Sequence, residues 1–418
     1  MTSAARRRPR LPLPAVLRRE PRYRLLFAGQ SLSVIGDRIT YVALAFAVLE
    51  IGTVADLGWV TAAAALPFLV VALPGGALSD RLGRRRVMLV ADLVRAATQA
   101  TTAVLLLSGA AQPWMLVVLM ACFGTADAFF GPALNGLIPQ TVGAARVQEA
   151  NALLGLAANI GMIAGPLVAA ALIAVWSPGG AIAIDAATFL VSAACLWRLR
   201  PAEIPAARDE EPHDLVHGLR EGWAIVRATG WMIPGLLALV AYHVLVLPSV
   251  FVLGPEIART TLHGATSWGF ITAGFGVGAA CGSIAAMRLK PLHTLRAAFT
   301  AMLVASLQGV FIASGLGTAG IAALEVLAGA GVALLYTLWE TTIQEQIPSE
   351  AIARVAAYDW ATSVGLMPVG LALAGPVGAA IGVATAMRAG SALAVLAALA
   401  CLAVPAVHGL RRPQAARV

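Results

Sequence analysis

The sequence predicts an all-α integral membrane protein in which twelve transmembrane helices form two pseudo-symmetric bundles of six. Three observations predict this fold: the composition, a series of twelve apolar segments, and a repeat that relates the two halves of the chain. Of the 418 residues, 59% are hydrophobic and only 12% are charged, whereas soluble domains carry about 25% charged residues. A water-soluble fold of this composition would expose too much apolar surface, so a soluble protein is excluded.

The apolar segments are long enough to cross a bilayer, which requires about 20 mostly apolar residues per helix. Twelve segments qualify, and we call them spans 1 to 12: 23–50, 56–79, 86–109, 113–138, 147–176, 179–199, 230–257, 264–287, 293–315, 317–343, 353–380 and 383–407. Of the 29 lysines and arginines, 25 fall in the tails, in every second loop or at the adjoining span ends. By the positive-inside rule this side is cytoplasmic, and both termini lie there.

The net charge of +8 is therefore explained by topology, and we expect no nucleic acid partner. Arginine outnumbers lysine 28 to 1 and alanine is abundant, a bias typical of GC-rich bacterial genomes. We expect a multi-pass, monomeric protein of the bacterial cytoplasmic (inner) membrane. Four tryptophans are expected in an aromatic belt at the outer interface: Trp59, Trp114, Trp176 and Trp268.

A long polar stretch separates the two sets of six spans. Its second part, "LVHGLREGWAIVRA", places Leu215, Leu219, Trp223 and Val226 on one helical face, which predicts an amphipathic helix at the cytoplasmic interface. The predicted organisation is a cytoplasmic tail, a six-helix bundle, a linker with this helix, a second six-helix bundle and a short cytoplasmic tail: 1–22, 23–199, 200–229, 230–407 and 408–418.

An internal repeat supports the division into two bundles. "LIPQTVGAARVQEAN" at 137–151 resembles "QIPSEAIARVAAYD" at 346–359, and Pro139 and Pro348 are separated by half the chain length. Trp59 and Trp268 share that offset, and each opens the second span of its half. Parallel six-span repeats are one of the architectures of secondary transporters.

The loop after span 2, "GALSDRLGRRRV", concentrates charge in a chain that otherwise avoids it. It resembles the signature loop of the major facilitator superfamily, and the matching positions are Gly76, Leu78, Ser79, Asp80, Arg81, Gly83, Arg84 and Arg85. The resemblance implies twelve spans and a cytoplasmic gate that holds one conformation. Glu340 lies near the cytoplasmic end of span 10, and from this position we expect it to belong to the gate as well. The alternative is simple anchoring of the loop by its arginines.

Span 5 contains "GMIAGPLVAA", with Gly161, Gly165 and Pro166. This segment resembles the Gly-x-x-x-Gly-Pro motif that the superfamily associates with exchange of a substrate against protons. The alternative is close helix packing, which small residues four apart also favour.

Two further stretches, "FFGPALNGLIPQ" and "TTIQEQIPSEAIARV", resemble the branch of macrolide-efflux pumps and the enterobactin exporter. That branch usually has Gly-Arg-Val where this chain has Ala353, Arg354 and Val355. Together with the span 5 motif, this resemblance predicts export of hydrophobic or amphiphilic drugs or natural products in exchange for protons by alternating access. A siderophore exporter or a lysophospholipid flippase on the same scaffold is the alternative.

Ionisable residues inside a membrane are costly and are functional candidates by default. The candidates for proton coupling are Asp37 in span 1, Asp127 in span 4 and Glu325 in span 10, because a carboxyl group in a partly dry cavity can bind and release a proton. Asp37 is the first choice; the alternative is a permanent pair between Asp37 and an arginine. Asp92 and Arg95, one turn apart in span 3, are expected to pair.

The predicted substrate cavity combines a polar stripe on span 1 with aromatic side chains. Its candidate lining residues are Gln30, Ser33, Arg38, Tyr41, Phe129, Phe130, Tyr242 and Tyr336. The four cysteines lack metal-ligand spacing, and the loops contain no pairing of a nucleophile with a base. We therefore expect no cofactor, no metal site and no enzymatic activity.

Overall fold

The computed structural model describes residues 14–202, 215–363 and 365–412 of the chain. Parts of the predicted tails and of the predicted linker therefore lie outside the described residues. The same holds for the side chains of 72–78, 80, 144, 215–219 and 353, which include that of Asp80.

The twelve predicted spans are confirmed as helices. Spans 1 to 6 are Pro21–Ile51, Val54–Leu82, Arg84–Leu107, Pro113–Thr141, Val147–Val175 and Pro178–Arg198. Spans 7 to 12 are Met232–Thr261, Ala265–Arg288, Thr294–Ile312, Thr318–Gln346, Ser349–Ile381 and Val383–Ala403. Local signals set several ends: Thr53 and Asp56 form a capping box before span 2, and Gly83 separates spans 2 and 3 with a φ of 88° that favours glycine.

Three spans of the second half are interrupted. Span 7 contains a π-helical turn at Tyr242–Val246, and span 9 is broken at Leu307, whose φ and ψ are −80° and −1°. Span 11 consists of two helices, Ser349–Ser363 and Met367–Ile381. π-Helical turns occur frequently at functional sites, and the sequence predicted none of the three interruptions.

Glycines bring spans of the two halves close together along two seams, one between spans 2 and 11 and one between spans 5 and 8. A Cβ on Gly58 of span 2 would lie 2.8 Å from the carbonyl oxygen of Leu371 in span 11. A Cβ on Gly269 of span 8 would lie 2.8 Å from the carbonyl oxygen of Pro166 in span 5. The seams thus depend on backbone contact that only small residues permit.

The apolar core is continuous across the halves at one end of the bundle. Residues 42–49, together with the starts of spans 2 and 8, belong to a cluster that also contains most of the buried residues of spans 7 to 12. A second cluster, around Tyr23, Met88 and Leu196, contains residues of the first half alone. It lies at the end of the bundle that carries the arginine-rich loop.

The predicted amphipathic helix of the linker is observed at Leu215–Ala228 and packs against span 11. The rings of Trp223 and Tyr358 lie 5.6 Å apart, and Glu221 forms an ion pair with Arg354.

The predicted aromatic belt needs one correction. Trp59, Trp114 and Trp176 have more than half of their surface exposed, but Trp268 is only 3% exposed. Gly254 leaves the space that the Trp268 ring fills. Trp268 is therefore a packed residue between spans 7 and 8, because a glycine on the facing span admits an indole ring.

Candidate functional site

A cavity of about 460 Å³ lies between the two halves. Span 1 contributes Asp37, Arg38 and Tyr41 to its wall, span 4 contributes Asp127, and span 7 contributes Phe251. The structure therefore brings together the first two candidates for proton coupling.

Arg95 is the buried cation of this region. Its guanidinium, 2% exposed, pairs with Asp92 on its own helix and lies 3.0 Å from the Asp127 carboxylate. The rings of Phe130 and Phe189 cover it, with centroids 4.0 and 4.5 Å from the guanidinium carbon. The predicted pairing of Asp92 with Arg95 is confirmed, and Asp127 joins it from span 4. A planar fork that binds two carboxylates and stacks on rings is specific to arginine.

Asp185 of span 6 is fully buried next to this pair. Its carboxylate accepts hydrogen bonds from Thr40 at 2.6 Å, from Gln99 at 3.0 Å and from Thr188 at 3.2 Å. These bonds tie spans 1, 3 and 6 together.

Asp37 differs from the other three aspartates. Within the part of the chain that the structure describes, its carboxylate has no hydrogen bond or ion pair, although it interacts electrostatically with Arg95 and Asp185. The alternative of a permanent pair with the neighbouring Arg38 is not observed. We call the six residues around this point the acid cluster: Asp37, Asp92, Asp127, Asp185, Arg38 and Arg95. The cluster thus contains four carboxyl groups and two guanidinium groups, and among the described residues only the guanidinium of Arg95 forms ion pairs with these carboxyl groups.

The span 5 motif packs against span 1 beside the acid cluster. A Cβ on Gly165 would collide with the Cβ of Arg38, and a Cβ on Gly161 would lie 3.4 Å from Val34. Pro166 faces span 8 on the other side. The motif therefore lies between the acid cluster and the second half of the protein.

A second polar group lies in the other half, on spans 7, 9 and 10. Tyr242 donates a hydrogen bond of 2.8 Å to the Gln308 carbonyl oxygen, and the Gln308 amide donates one of 3.0 Å to Glu325. Tyr242 belongs to the π turn of span 7, and Gln308 directly follows the break in span 9. The helix interruptions therefore bring these side chains to Glu325. Gln308 was not singled out from the sequence, although a lone glutamine in an apolar span is itself a signal.

Gln308 and Glu325 line a second cavity, of about 380 Å³, which Arg38 and Tyr41 also line. The rings of Tyr41 and Phe251 meet edge to face with centroids 5.1 Å apart. Because both rings line both cavities, this aromatic pair is the boundary between them.

The structure places several predicted lining residues elsewhere. Gln30 and Ser33 are 3% and 2% exposed, and Gln30 donates a hydrogen bond to Ser192 of span 6. The polar stripe of span 1 therefore divides, and only its later residues face the cavity. Phe129 lies in a groove of spans 3 and 4 that includes Arg86. Phe130 packs on the guanidinium of Arg95 in the acid cluster.

The remaining predicted lining residues, Tyr242 and Tyr336, belong to the interior of the second half. Tyr242 is fully buried, and the hydroxyl of Tyr336 lies 2.7 Å from Nε2 of His243. The other ring nitrogen of His243 lies 2.8 Å from the Leu239 carbonyl oxygen.

The arginines of the signature loop bind backbone of the first half. Arg84 donates to the Gly136 carbonyl oxygen at 2.6 Å, and Arg85 donates at 2.7 Å to that of Leu196, at the end of span 6. Carbonyl oxygens at a helix C-terminus attract cations. Arg81 and Glu340 are exposed, and the Asp80 side chain and the surroundings of Gly76 lie outside the described residues.

Comparison with known proteins gives consistent matches. Residues 26–367 match the family model described as Major Facilitator Superfamily. The chain is 28% identical to the multidrug efflux pump Tap of Mycolicibacterium fortuitum, covering 87% of this chain and 91% of that one. It is 25% identical to the enterobactin exporter EntS of Escherichia coli, covering 95% of both, and 25% identical to macrolide efflux protein A of Streptococcus pyogenes, covering 57% and 59%.

Among solved structures, the nucleoside transporter NupG has a TM-score of 0.70 at 14% identity, covering 92% of this chain and 99% of that one. A D-xylose-proton symporter has a TM-score of 0.65 at 16% identity, covering 93% and 99%. These likenesses show the fold.

Proposed function

Because the chain belongs to the Major Facilitator Superfamily and is therefore a membrane transporter and not an enzyme, we propose that it exports hydrophobic or amphiphilic drugs or natural products in exchange for protons. Three of its relatives are named as a multidrug pump, a macrolide efflux protein and a siderophore exporter. Their common direction of transport, out of the cell, supports export as the function of this chain.

The observation that carries the proton coupling is the Asp37 carboxylate. It lines the cavity between the halves and, among the residues that the structure describes, lacks the direct partners that Asp92, Asp127 and Asp185 have. A carboxylate in a region of low dielectric is stabilised by a cation or by a proton. Since the acid cluster contains more carboxyl than guanidinium groups, Asp37 is the group best placed to exchange a proton.

The neighbouring packing offers a route from this proton to the movement of the halves. Arg38 follows Asp37 and packs against Gly165 of span 5, and span 5 forms the seam with span 8. A change of charge at Asp37 alters the forces on Arg38, and any shift of Arg38 acts on span 5. Rocking of the two halves about their seams would then expose the cavity to each side of the membrane in turn.

The orientation rests on the positive-inside rule. The arginine-rich end, with both termini, would face the cytoplasm of a bacterium, and the glycine seams near the starts of spans 2 and 8 would face outward. Since the halves share one apolar core at that outer end, the arrangement suits a cavity that receives substrate from the cytoplasmic side. Oligomerisation is not required for this mechanism, and we propose that a monomer transports.

The test is proton release from energised inverted vesicles, measured with a pH-sensing dye while cationic and macrolide-like compounds are added. We expect compounds to dequench the dye in wild-type vesicles and to have no effect in Asp37→Asn vesicles. Glu50→Gln, which changes an exposed acid at the far end of the same span, should behave as wild type. If compounds still dequench the dye in Asp37→Asn vesicles, the proton is carried by Asp127 or Glu325 instead. Transport of compounds without any proton release would refute antiport.

A siderophore exporter is the second candidate, because the likeness to the enterobactin exporter covers 95% of both chains. In the same vesicles, this candidate would be favoured if protons are released when a catecholate siderophore is added and are not released when the drug panel is added. A lysophospholipid flippase would instead move a labelled lysophospholipid between leaflets regardless of the proton gradient.

A further inference from the structure

Among the described residues, the wall of the second cavity contains one acidic and one basic side chain, and these two side chains do not pair with each other. Arg38 enters its wall from span 1 of the first half, and Glu325 enters from span 10 of the second half. We propose that this cavity is the substrate subsite and that it selects amphiphiles carrying both an ammonium group and an anionic group. The inference rests on the proposed export function and names its substrate class.

Glu325 provides the acceptor for the ammonium group. Its side chain is 2% exposed, and one carboxylate oxygen accepts the hydrogen bond from Gln308. The other oxygen is buried and has no hydrogen-bond partner within the described residues. A buried carboxylate oxygen without a donor is costly, so this atom is ready to accept an N–H of a ligand.

Gln308 fixes which oxygen remains free. Its amide group donates to Glu325 while its carbonyl oxygen accepts from Tyr242, so both ends of the amide are occupied. Gln308 and Tyr242 are therefore positioning residues, and they depend on the interruptions of spans 9 and 7 for their placement.

Arg38 provides the partner for the anionic group. It is an exposed side chain, and no hydrogen bond or ion pair joins its guanidinium to another described residue within 4 Å. A guanidinium binds carboxylate or phosphate oxygens through parallel N–H groups.

The rest of the wall is apolar and aromatic. Trp268 and Phe275 of span 8 lie in it together with Phe251 of span 7 and Pro166 of span 5. Concave sites with a few polar groups among aromatic side chains are typical of small-molecule binding. The volume of about 380 Å³ suits one compact amphiphile.

The charges decide the substrate class. A purely cationic ligand would leave Arg38 without a partner, and a purely anionic ligand would leave Glu325 without one, so either should bind more weakly than a ligand with both charges. A ligand with both charges satisfies both groups and, because they belong to different halves, connects the two halves through itself. Binding of the correct substrate would then favour the arrangement in which the halves approach.

The test uses three ligands of equal chain length: decylamine, decanoate and 2-aminodecanoate. Their binding to the purified full chain in lipid nanodiscs is measured by calorimetry, with subtraction of the signal from protein-free discs. We expect wild type to bind 2-aminodecanoate about tenfold more tightly than either singly charged ligand, as expected for one additional charge-assisted hydrogen bond.

Neutral variants should change the preference. Arg38→Gln should weaken the binding of 2-aminodecanoate and strengthen the binding of decylamine. Glu325→Gln should weaken the binding of 2-aminodecanoate and strengthen the binding of decanoate. Arg24→Gln, an exposed arginine at the start of the same span, should leave all three affinities unchanged. A general loss of folding cannot produce these opposite gains.

Equal binding of the three ligands by wild type would overturn the proposal, as would variants that weaken all three equally. The measurement requires no proton gradient, so its failure is distinguishable from failure of antiport. A preference for the doubly charged ligand without a dye response in vesicles would support the subsite and refute proton exchange. A dye response without that preference would refute the subsite and leave proton exchange in place.

Discussion

The carboxylate of Glu20 lies 2.8 Å from the guanidinium of Arg146, and Glu221 pairs in the same manner with Arg354. Glu20 precedes span 1 and Glu221 precedes span 7, while the two arginines occupy the same place in the repeated "ARV" sequence at the start of spans 5 and 11. In each half, a segment at the arginine-rich end is thus tied to the fifth span of that half. These spans also form the seams, so the connecting segments are linked to the parts expected to move.

Loss of the second pair should loosen the linker helix from span 11 without unfolding the protein. The side chains of Glu221 and Arg354 are about 40% exposed, and exposed ion pairs contribute roughly 0–1 kcal/mol. Glu221→Gln should therefore increase amide hydrogen exchange in residues 215–228 while the melting temperature changes little. Arg220→Gln, on the same helix, is the matched control. Unchanged exchange in Glu221→Gln would show that apolar packing of the helix, including the Trp223–Tyr358 contact, holds it without the ion pair.

Removal of the buried Arg95 cation should be strongly destabilising. Arg95→Gln leaves the carboxylates of Asp92 and Asp127 without their cation, and breaking a buried pair in this way costs about 3–5 kcal/mol. We expect a large decrease in the melting temperature of the purified protein. Arg95→Lys should be intermediate, because an ammonium cannot bind both carboxylates as a planar fork or stack between Phe130 and Phe189.

A triple variant separates charge from packing at this position. Arg95→Gln combined with Asp92→Asn and Asp127→Asn removes the two uncompensated carboxylate charges that the single variant leaves behind, and such charges are the costly part of a broken buried pair. The triple variant should therefore be more stable than Arg95→Gln alone. If it is no more stable, uncompensated carboxylate charge does not account for the loss, and the stacking of Arg95 on Phe130 and Phe189, which both variants lack, is its cause.

The span 5 motif gives a comparison of two glycines on one helix. A Cβ on Gly165 would collide with the Cβ of Arg38, whereas a Cβ on Gly155 would meet no described atom within 4 Å. Overpacking costs about 1–3 kcal/mol, so Gly165→Ala should separate spans 1 and 5 and abolish transport. Gly155→Ala should retain transport, because alanine favours a helix by about 1 kcal/mol over glycine. Equal transport by both variants would show that the motif has no packing role at Arg38.

The spans were predictable from the sequence because each is a long apolar segment that ends at a glycine, a proline or a charge. The interruptions were not. "YHVLVLP" in span 7 ends in Pro248, which cannot donate a helix hydrogen bond. A proline predicts a disturbance of the helix but does not specify a π turn at Tyr242–Val246, and the turn is accompanied by the contact of Tyr242 with Gln308 in another span. Hydropathy reports depth in the membrane and does not report such lateral contacts.

The acid cluster was predictable only in part, because the sequence shows neighbours along one helix but not contacts between helices. Asp92 and Arg95 are one turn apart on one helix, so the spacing predicted their pairing. Asp127 lies on another span, and only the packing of spans 3 and 4 brings it to Arg95. For Asp37 the sequence left two alternatives, an available carboxyl group or a permanent pair with an arginine, and helix rotation decides between them. The structure shows no direct pair.

A reversible cross-link across the seam between spans 2 and 11 would test alternating access directly. A Cβ on Gly375 of span 11 would lie 2.6 Å from the Cα of Ala55 in span 2. The two backbones are thus slightly closer than the Cα separation of about 4.4–6.8 Å that a disulfide usually spans, and a small separation of spans 2 and 11 would let two cysteines introduced there bond. In a background whose four native cysteines are replaced by alanine, Ala55→Cys with Gly375→Cys should form the bond under mild oxidation. The bond should hold the halves together at the end opposite the arginine-rich loop and stop transport, and reduction of the bond should restore transport.

If the halves rock, residues 55 and 375 are close together in this conformation and move apart in the other one. The cross-link therefore distinguishes rocking from a seam that stays closed. Each single cysteine variant is the control for side-chain size, since Gly375→Cys by itself crowds the seam. Full transport by the oxidised double variant, with the bond demonstrated by a shift in gel mobility after cleavage of the linker, would show that the outer seam stays closed during the cycle. Rocking of the halves would then be excluded as the mechanism, whichever substrate the cavity binds.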